Sequence, residues 1–173
     1  MRGGERSDPG AAPGERPPAL DRALRFLALR PHFRAEIESK LARAGYAAGE
    51  IEAALARLAE LGYLDDAALA RSEAERLRTR NDLGRLAVGA RLKRKGAGSA
   101  AVAGALAGGG EEDELATARR ATARWLRGRA GDGPALARHL ARKGFAARVI
   151  VAVLRERNLR PDAAEEADGF PDP

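Results

Sequence analysis

The sequence predicts an all-α chain of three tandem three-helix repeats, stacked into an elongated rod, straight or curved, between disordered N- and C-terminal tails. Three observations predict it. Hydrophobic residues make up 45% of the 173 positions while aromatics make up only 4%, so a core must come from aliphatic side chains. Ala, Leu, Arg and Glu dominate and β-branched residues are scarce. Such residues lose little freedom on becoming helical, whereas a sheet would lack its usual material. The third observation is a five-position pattern that recurs three times.

That pattern runs Ile37, Leu41, Gly45, Ile51, Leu55 in its first copy, with spacings of 4, 4, 6 and 4. Val88, Leu92, Gly96, Val102, Leu106 repeat it, and so do Leu136, Leu140, Gly144, Ile150, Leu154. Apolar residues four apart share one helical face, so each copy encodes a helix, a stop and a second helix. Gly45, Gly96 and Gly144 fit the left-handed position just past a helix end, which a Cβ disfavours. The residue after each glycine is Tyr46, Ala97 or Phe145. The apolar contact of a Schellman turn is therefore available in the first and third copies, and the second is expected to be looser.

A further helix precedes each pair. Residues 20–29 place Leu20, Leu24 and Leu27 on one face and end at Pro31. Residues 66–80 follow Gly62-Tyr63-Leu64-Asp65-Asp66, where either aspartate can cap the new helix and complement its dipole. Residues 112–127 begin among Glu111, Glu112, Asp113 and Glu114, after a Gly108-Gly109-Gly110 joint expected to be flexible. The resulting units are 19–64, 65–108 and 109–160. Each is too small to bury much surface alone, so stacking should supply the rest. Residues 1–18, rich in Pro and Gly, and the acidic segment 161–173 have compositions that cannot bury a core.

The net charge of +6 is unevenly distributed. Residues 161–173 carry five acids and no base, residues 78–96 carry seven bases against one acid, and residues 114–160 carry twelve against three. Positive charge thus belongs to the second and third repeats, and such a field favours polyanions. Arg91, Lys93, Arg94 and Lys95 in repeat two and Arg138, Arg142 and Lys143 in repeat three fall at equivalent helix ends. One or two cations there would complement a helix dipole. Four in five residues, with Arg78, Arg80 and Arg85 upstream, point to phosphate binding. Arg119, Arg120, Arg124, Arg127 and Arg129 form a second group, in which Arg120, Arg124 and Arg127 share a face. Trp125 on the same helix is expected in the core. With so few aromatics, contact with nucleic acid should run through backbone phosphate, tolerant of sequence and sensitive to salt.

Other chemistries find no support. No cysteine is present, which removes disulfides, thiolate metal sites and thiol nucleophiles. His32 and His139, the only histidines, lie in different repeats and read as surface or helix-end residues. No nucleophile–base pair, metal site or cofactor site can be nominated, and the chain is expected not to be an enzyme. No apolar run suits a membrane span or a secretion signal, so a cytoplasmic monomer is the expectation.

The stretch Arg34-Ala35-Glu36-Ile37-Glu38-Ser39-Lys40-Leu41 through Gly45-Tyr46, then Gly62-Tyr63-Leu64-Asp65-Asp66 and Ala70-Arg71, resembles the RecX family of bacterial regulatory proteins. Leu92-Lys93-Arg94-Lys95-Gly96 and Leu140-Ala141-Arg142-Lys143-Gly144-Phe145 look like that family's second and third glycine turns. Phe33, Leu69 and Ala97 depart from its usual residues. The resemblance implies a modulator of the RecA recombinase, acting in homologous recombination, DNA repair and the SOS response. Such a protein lies in the groove of the RecA filament on single-stranded DNA and lowers ATP hydrolysis, strand exchange and filament extension. The alternative is a general, sequence-tolerant nucleic-acid-binding repeat protein without a RecA partner.

Overall fold

Helix-forming composition and regularly placed stops produce nine helices among the described residues, 16–127 and 132–159 of a computed structural model. In chain order they are α1 (Ala19–Leu29), α2 (Arg34–Arg43), α3 (Ala48–Glu60), α4 (Asp66–Asn81), α5 (Arg85–Arg94), α6 (Ser99–Ala107), α7 (Glu111–Trp125), α8 (Gly133–Arg142) and α9 (Ala147–Glu156). No strand occurs among these residues. Contacts group the helices as α1–α3, α4–α6 and α7–α9, the three-helix sets that the repeat predicts. None of the helices is long and apolar enough to cross a membrane.

Most of the apolar pattern residues lie in the cores, while Leu106 and Ile150 are half-buried. In the first set Ile37, Leu41, Ile51, Leu55 and Leu58 are buried together with Ala19 and Ala23. In the second Val88, Leu92 and Val102 are buried with Ala70, Ala74 and Leu77. In the third Leu136, Leu140, Val149, Val153 and Leu154 bury against Ala118 and Ala121. Alanines on the first helix of each set let the following pair approach closely, which suits a chain short of aromatics.

All three predicted stops adopt positive φ, at 83°, 96° and 79° for Gly45, Gly96 and Gly144. Each closes a Schellman turn: the N–H of Tyr46, Ala97 and Phe145 donates to the carbonyl of Leu41, Leu92 and Leu140 at 3.2, 3.0 and 3.2 Å. The second turn is no looser than the others, contrary to expectation. Its bonds are backbone to backbone and do not depend on the size of Ala97, which is buried. At Gly62 the same geometry ends α3, and Asn158 supplies it after α9.

Helix starts also follow the sequence. Asp65 accepts from the N–H of Ala68 at 2.8 Å, and Asp132 does the same for Ala135 at 3.3 Å. Ala47, Gly98 and Ala146 at the heads of α3, α6 and α9 offer no side-chain cap. Glu50 compensates at α3 by accepting from the N–H of Ala47 at 2.7 Å. Phe33 heads α2 without capping it and is buried instead.

Three expectations need correction. Arg16 and Pro17, at the end of the lead-in assigned to disorder, are packed in place. Arg16 lies over the Tyr46 ring and pairs with Glu50 at 3.1 Å, while the Tyr46 hydroxyl donates to the Pro17 carbonyl at 2.6 Å. Residues 1–15 and 160–173, which hold the rest of the two tails, lie outside the described residues. Gly108-Gly109-Gly110 is a tight link rather than an open joint: Gly108 ends α6, Gly110 heads α7, and the Arg78 guanidinium sits directly over Gly109. His32 stands at a helix end but is buried, its Nδ1 2.8 Å from the Arg30 carbonyl.

The chain forms two compact units, one ending at Leu64 and one beginning at Asp65. The first holds one helix triplet. The second holds the other two, joined where α8 ends against the start of α5. There the N–H of Gly84 donates to the Lys143 carbonyl at 2.9 Å and that of Leu86 to the Gly144 carbonyl at 3.0 Å. The backbones pass so closely that a Cβ on Gly84 would lie 2.3 Å from the Gly144 oxygen. Gly98 heads its helix with a similar φ but has open space around it. Gly84→Ala is therefore expected to lower the stability of the second unit by about 1–3 kcal/mol, the usual range for overpacking. Gly98→Ala should lower it by less than about 1 kcal/mol, since only a modest cap preference is lost. Urea midpoints of the two variants would settle the comparison, and equal losses would refute the close crossing.

Candidate nucleic-acid interface

Charge count alone places thirteen cations on a candidate phosphate surface; the structure divides them by what each one touches. Arg78 lies along α4 with its guanidinium largely covered. It donates to the Ala105 carbonyl at 2.8 Å, pinning α6 to α4. Arg120 and Arg124 reach from α7 to Asp82, just past the end of α4. Arg120 Nε is 3.4 Å from Oδ1, and Arg124 Nη1 is 2.8 Å from Oδ2. The second contact is ionic in distance but lacks hydrogen-bond geometry.

Asp82 is the unusual member of this group. Its side chain is 0% exposed, and its backbone is left-handed, with φ of 47°. Asp is one of the few non-glycine residues that tolerates this conformation. A carboxylate so buried requires opposite charge, and the arginines of repeat three supply it. The same cations meet the carbonyls that α4 leaves unpaired at its C-terminus. Arg120 Nη2 donates to the Arg78 carbonyl at 3.2 Å, Arg124 contacts that of Arg80 at 3.5 Å, and Lys143 Nζ donates to that of Asn81 at 2.7 Å. Three positive groups on the negative end of a helix dipole reinforce one another. Four residues nominated for phosphate thus hold the second unit together.

The remaining cations stand outward. Arg91, Lys93 and Arg94 are exposed on the last turn of α5. Lys95 follows them but pairs with Glu73 at 2.7 Å, and hydrogen bonds from Arg76 and then Lys95 hold that carboxyl below its ordinary pKa range. Arg80, Arg85, Arg127, Arg138 and Arg142 are exposed as well. Arg85 opens α5, so a helix rise of about 1.5 Å per residue separates it from Arg94 by roughly 14 Å. The cations at the tip of α5 therefore form a group distinct from Arg142 and Lys143, which end α8 beside the start of α5. Arg129, nominated with the second basic group, lies outside the described residues. Arg119 of that group braces α7 to α9 through Glu156, at 2.7 Å, and its hydrogen bonds hold the Glu156 carboxyl below the usual carboxylate range.

Beside the joint, Ala121, Arg124, Trp125, His139, Arg142 and Lys143 line a shallow recess of about 460 Å³. Trp125 packs on the third core yet remains only half-buried, and its ring centroid is 5.8 Å from that of His139. Sequence reasoning assigned it to the core; the structure makes it both core and surface. Neither Asp82 nor the recess was anticipated. The available signal was a lone acid at the end of a helix inside a run of seven bases.

Comparison with known proteins agrees with this architecture. The family profile described as RecX, first three-helix domain, matches residues 19–58. The regulatory protein RecX of Deinococcus radiodurans is 35% identical over 165 residues, covering 88% of this chain and 75% of that protein. The chain belongs to the RecX family. RecX of Chlorobaculum tepidum is 51% identical over 83 residues, a match that takes in 48% of this chain and spans about half, 52%, of that relative's length. A crystal structure of RecX from Lactobacillus salivarius superposes with a TM-score of 0.71 over 81% of this chain and 94% of its own, at 20% identity, and so shares the fold. Family membership thus meets a body that is all-helical among the described residues, whose second unit carries two three-helix sets joined through Asp82.

Removing both clamp arginines tests that lock. Arg120→Ala with Arg124→Ala strips the buried carboxylate of its two half-exposed partners, and with solvent screening the loss is expected to be about 1–3 kcal/mol. Adding Asp82→Asn, which removes the stranded charge, should recover part of the loss in the same denaturation experiment. A triple variant no more stable than the double one would contradict the clamp.

Proposed function

We propose that this chain is a regulator of the RecA recombinase that binds the RecA filament on single-stranded DNA and lowers its ATPase, strand exchange and extension. Membership of the RecX family carries the reading. The exposed cations of the second unit support it: Arg91, Lys93 and Arg94 at one helix end, and Arg138 and Arg142 on another helix, stand where phosphate can reach them. The clamp residues Arg78, Arg120, Arg124 and Lys143 contribute by keeping those cations on one body. A cytoplasmic setting, with a monomer as the acting species, completes the proposal.

Several weak contacts along a repetitive filament would multiply into useful affinity without a single tight site. Because phosphate contacts release counterions, binding should weaken steeply as salt rises. RecA ATPase on single-stranded DNA is the direct assay, with this protein added below the RecA concentration. A fall in rate is expected. Arg91→Glu, Lys93→Glu and Arg94→Glu together should weaken the inhibition at least severalfold and flatten its salt dependence. An unchanged ATPase would refute the reading. Equal affinity for bare DNA and for filaments would favour a general nucleic-acid binder.

A further inference from the structure

We infer that Arg138 and Arg142 of α8 and Arg91 and Arg94 of α5 form one phosphate track across the joint, along which a single strand lays successive backbone phosphates. The inference rests on the single-strand reading above and names the residues and the path of contact. α5 and α8 are the second helices of their sets, and the end of α8 meets the start of α5. Ala87 lies so near that end that a Cβ on Gly144 would be 2.4 Å from the Cβ of Ala87. That contact marks the side of α5 that α8 reaches. At about 100° per residue, Arg91 stands roughly 40° from Ala87 around α5 and Arg94 roughly 20°, while Lys93 stands roughly 120° away. Arg91 and Arg94 therefore continue from the joint along one stripe, and Lys93 leaves it. On α8, Arg138 and Arg142 are four residues apart and share a face as well.

Pairing separates these four arginines from ordinary surface charge. Arg119 is tied to Glu156, Arg76 to Glu73 and Arg57 to Glu60. Arg91, Arg94, Arg138 and Arg142 are exposed and make no ion pair among the described residues. Helix dipoles do not account for the set. Arg138 precedes the last turn of α8, and a dipole asks for charge near a helix end without choosing a face. The steps along the path are about one turn each: a rise of about 6 Å from Ala87 to Arg91, about 4.5 Å from Arg91 to Arg94 and about 6 Å from Arg138 to Arg142. Steps of that size let neighbouring arginines take neighbouring phosphates of an extended strand, and the planar guanidinium fork matches each phosphate. The clamp on Asp82 holds the two helix sets together, so the two pairs keep fixed places. A strand that spans both pairs gains the second contact at little further loss of freedom.

The salt dependence of binding reads the track. Anisotropy of a labelled oligothymidylate is followed on the full chain, without RecA, over a range of salt. Each phosphate contact with a single strand contributes about 0.7 to the slope of log affinity against log salt. Arg91→Gln with Arg94→Gln should lower that slope by about 1.4, Arg138→Gln with Arg142→Gln by as much, and all four together by about 2.8. Lys93→Gln removes the same charge from the same helix end as Arg94→Gln but should change the slope far less. Equal losses from those two single variants would overturn the stripe. An unchanged slope in the α8 pair would overturn the passage across the joint. If the slopes fall as expected and the unaltered chain leaves RecA ATPase untouched, the track stands and the RecA reading goes. Unchanged slopes in every variant, with RecA still inhibited, would remove the track and keep that reading.

Discussion

A carboxylate buried at the end of a helix is the constraint on which the second unit is built. Asp82 ends α4 in a left-handed turn with its side chain fully covered, a position that cannot persist without opposite charge close by. Arg120 and Arg124 provide that charge from a helix about forty residues further along the chain. Around them the carbonyls of Arg78, Arg80 and Asn81 receive side-chain donors, and the backbones of Gly84 and Gly144 come into contact. Charge pairing, satisfaction of a helix end and glycine-to-glycine approach therefore act at one place.

This arrangement changes what the positive charge means. A strongly basic segment invites a reading in which every cation faces a polyanion. Here a basic stretch first stabilises its own joint, and the residues that remain exposed set the field that a phosphate backbone would meet. The clamp cations are not lost to recognition altogether. Lys143 and Arg124 serve the joint and also line the shallow recess beside Trp125, so the joint and the recess share walls.

The sequence made legible whatever is local. Glycine stops, aspartate caps and four-residue apolar spacing each act within a turn or two of chain, and the helices of all three repeats follow from them. Even the second turn, expected to be loose for want of a large residue at Ala97, closes as tightly as the others because its bonds are made by backbone. What stayed hidden depends on partners far apart in sequence. Nothing near Asp82 announces Arg124, and charge counting registers such a pair as two separate residues. Trp125 packs on the third core as expected but is only half-buried, because spacing shows which face of a helix is apolar and not where the neighbouring helix stops covering it. Arg16 and Pro17 likewise sit in a tail whose composition argues for disorder, and contacts with Gly45, Tyr46 and Glu50 hold them in place.

Amide hydrogen exchange at Gly84 and Leu86 probes the joint most directly, because their N–H groups donate to Lys143 and Gly144 across it. If the two repeats form one body around Asp82, these amides should exchange as slowly as those of the buried core residues Val88 and Leu92. Rapid exchange at Gly84 and Leu86 beside a protected α5 core would show that the repeats separate freely, and the account of the second unit would fail.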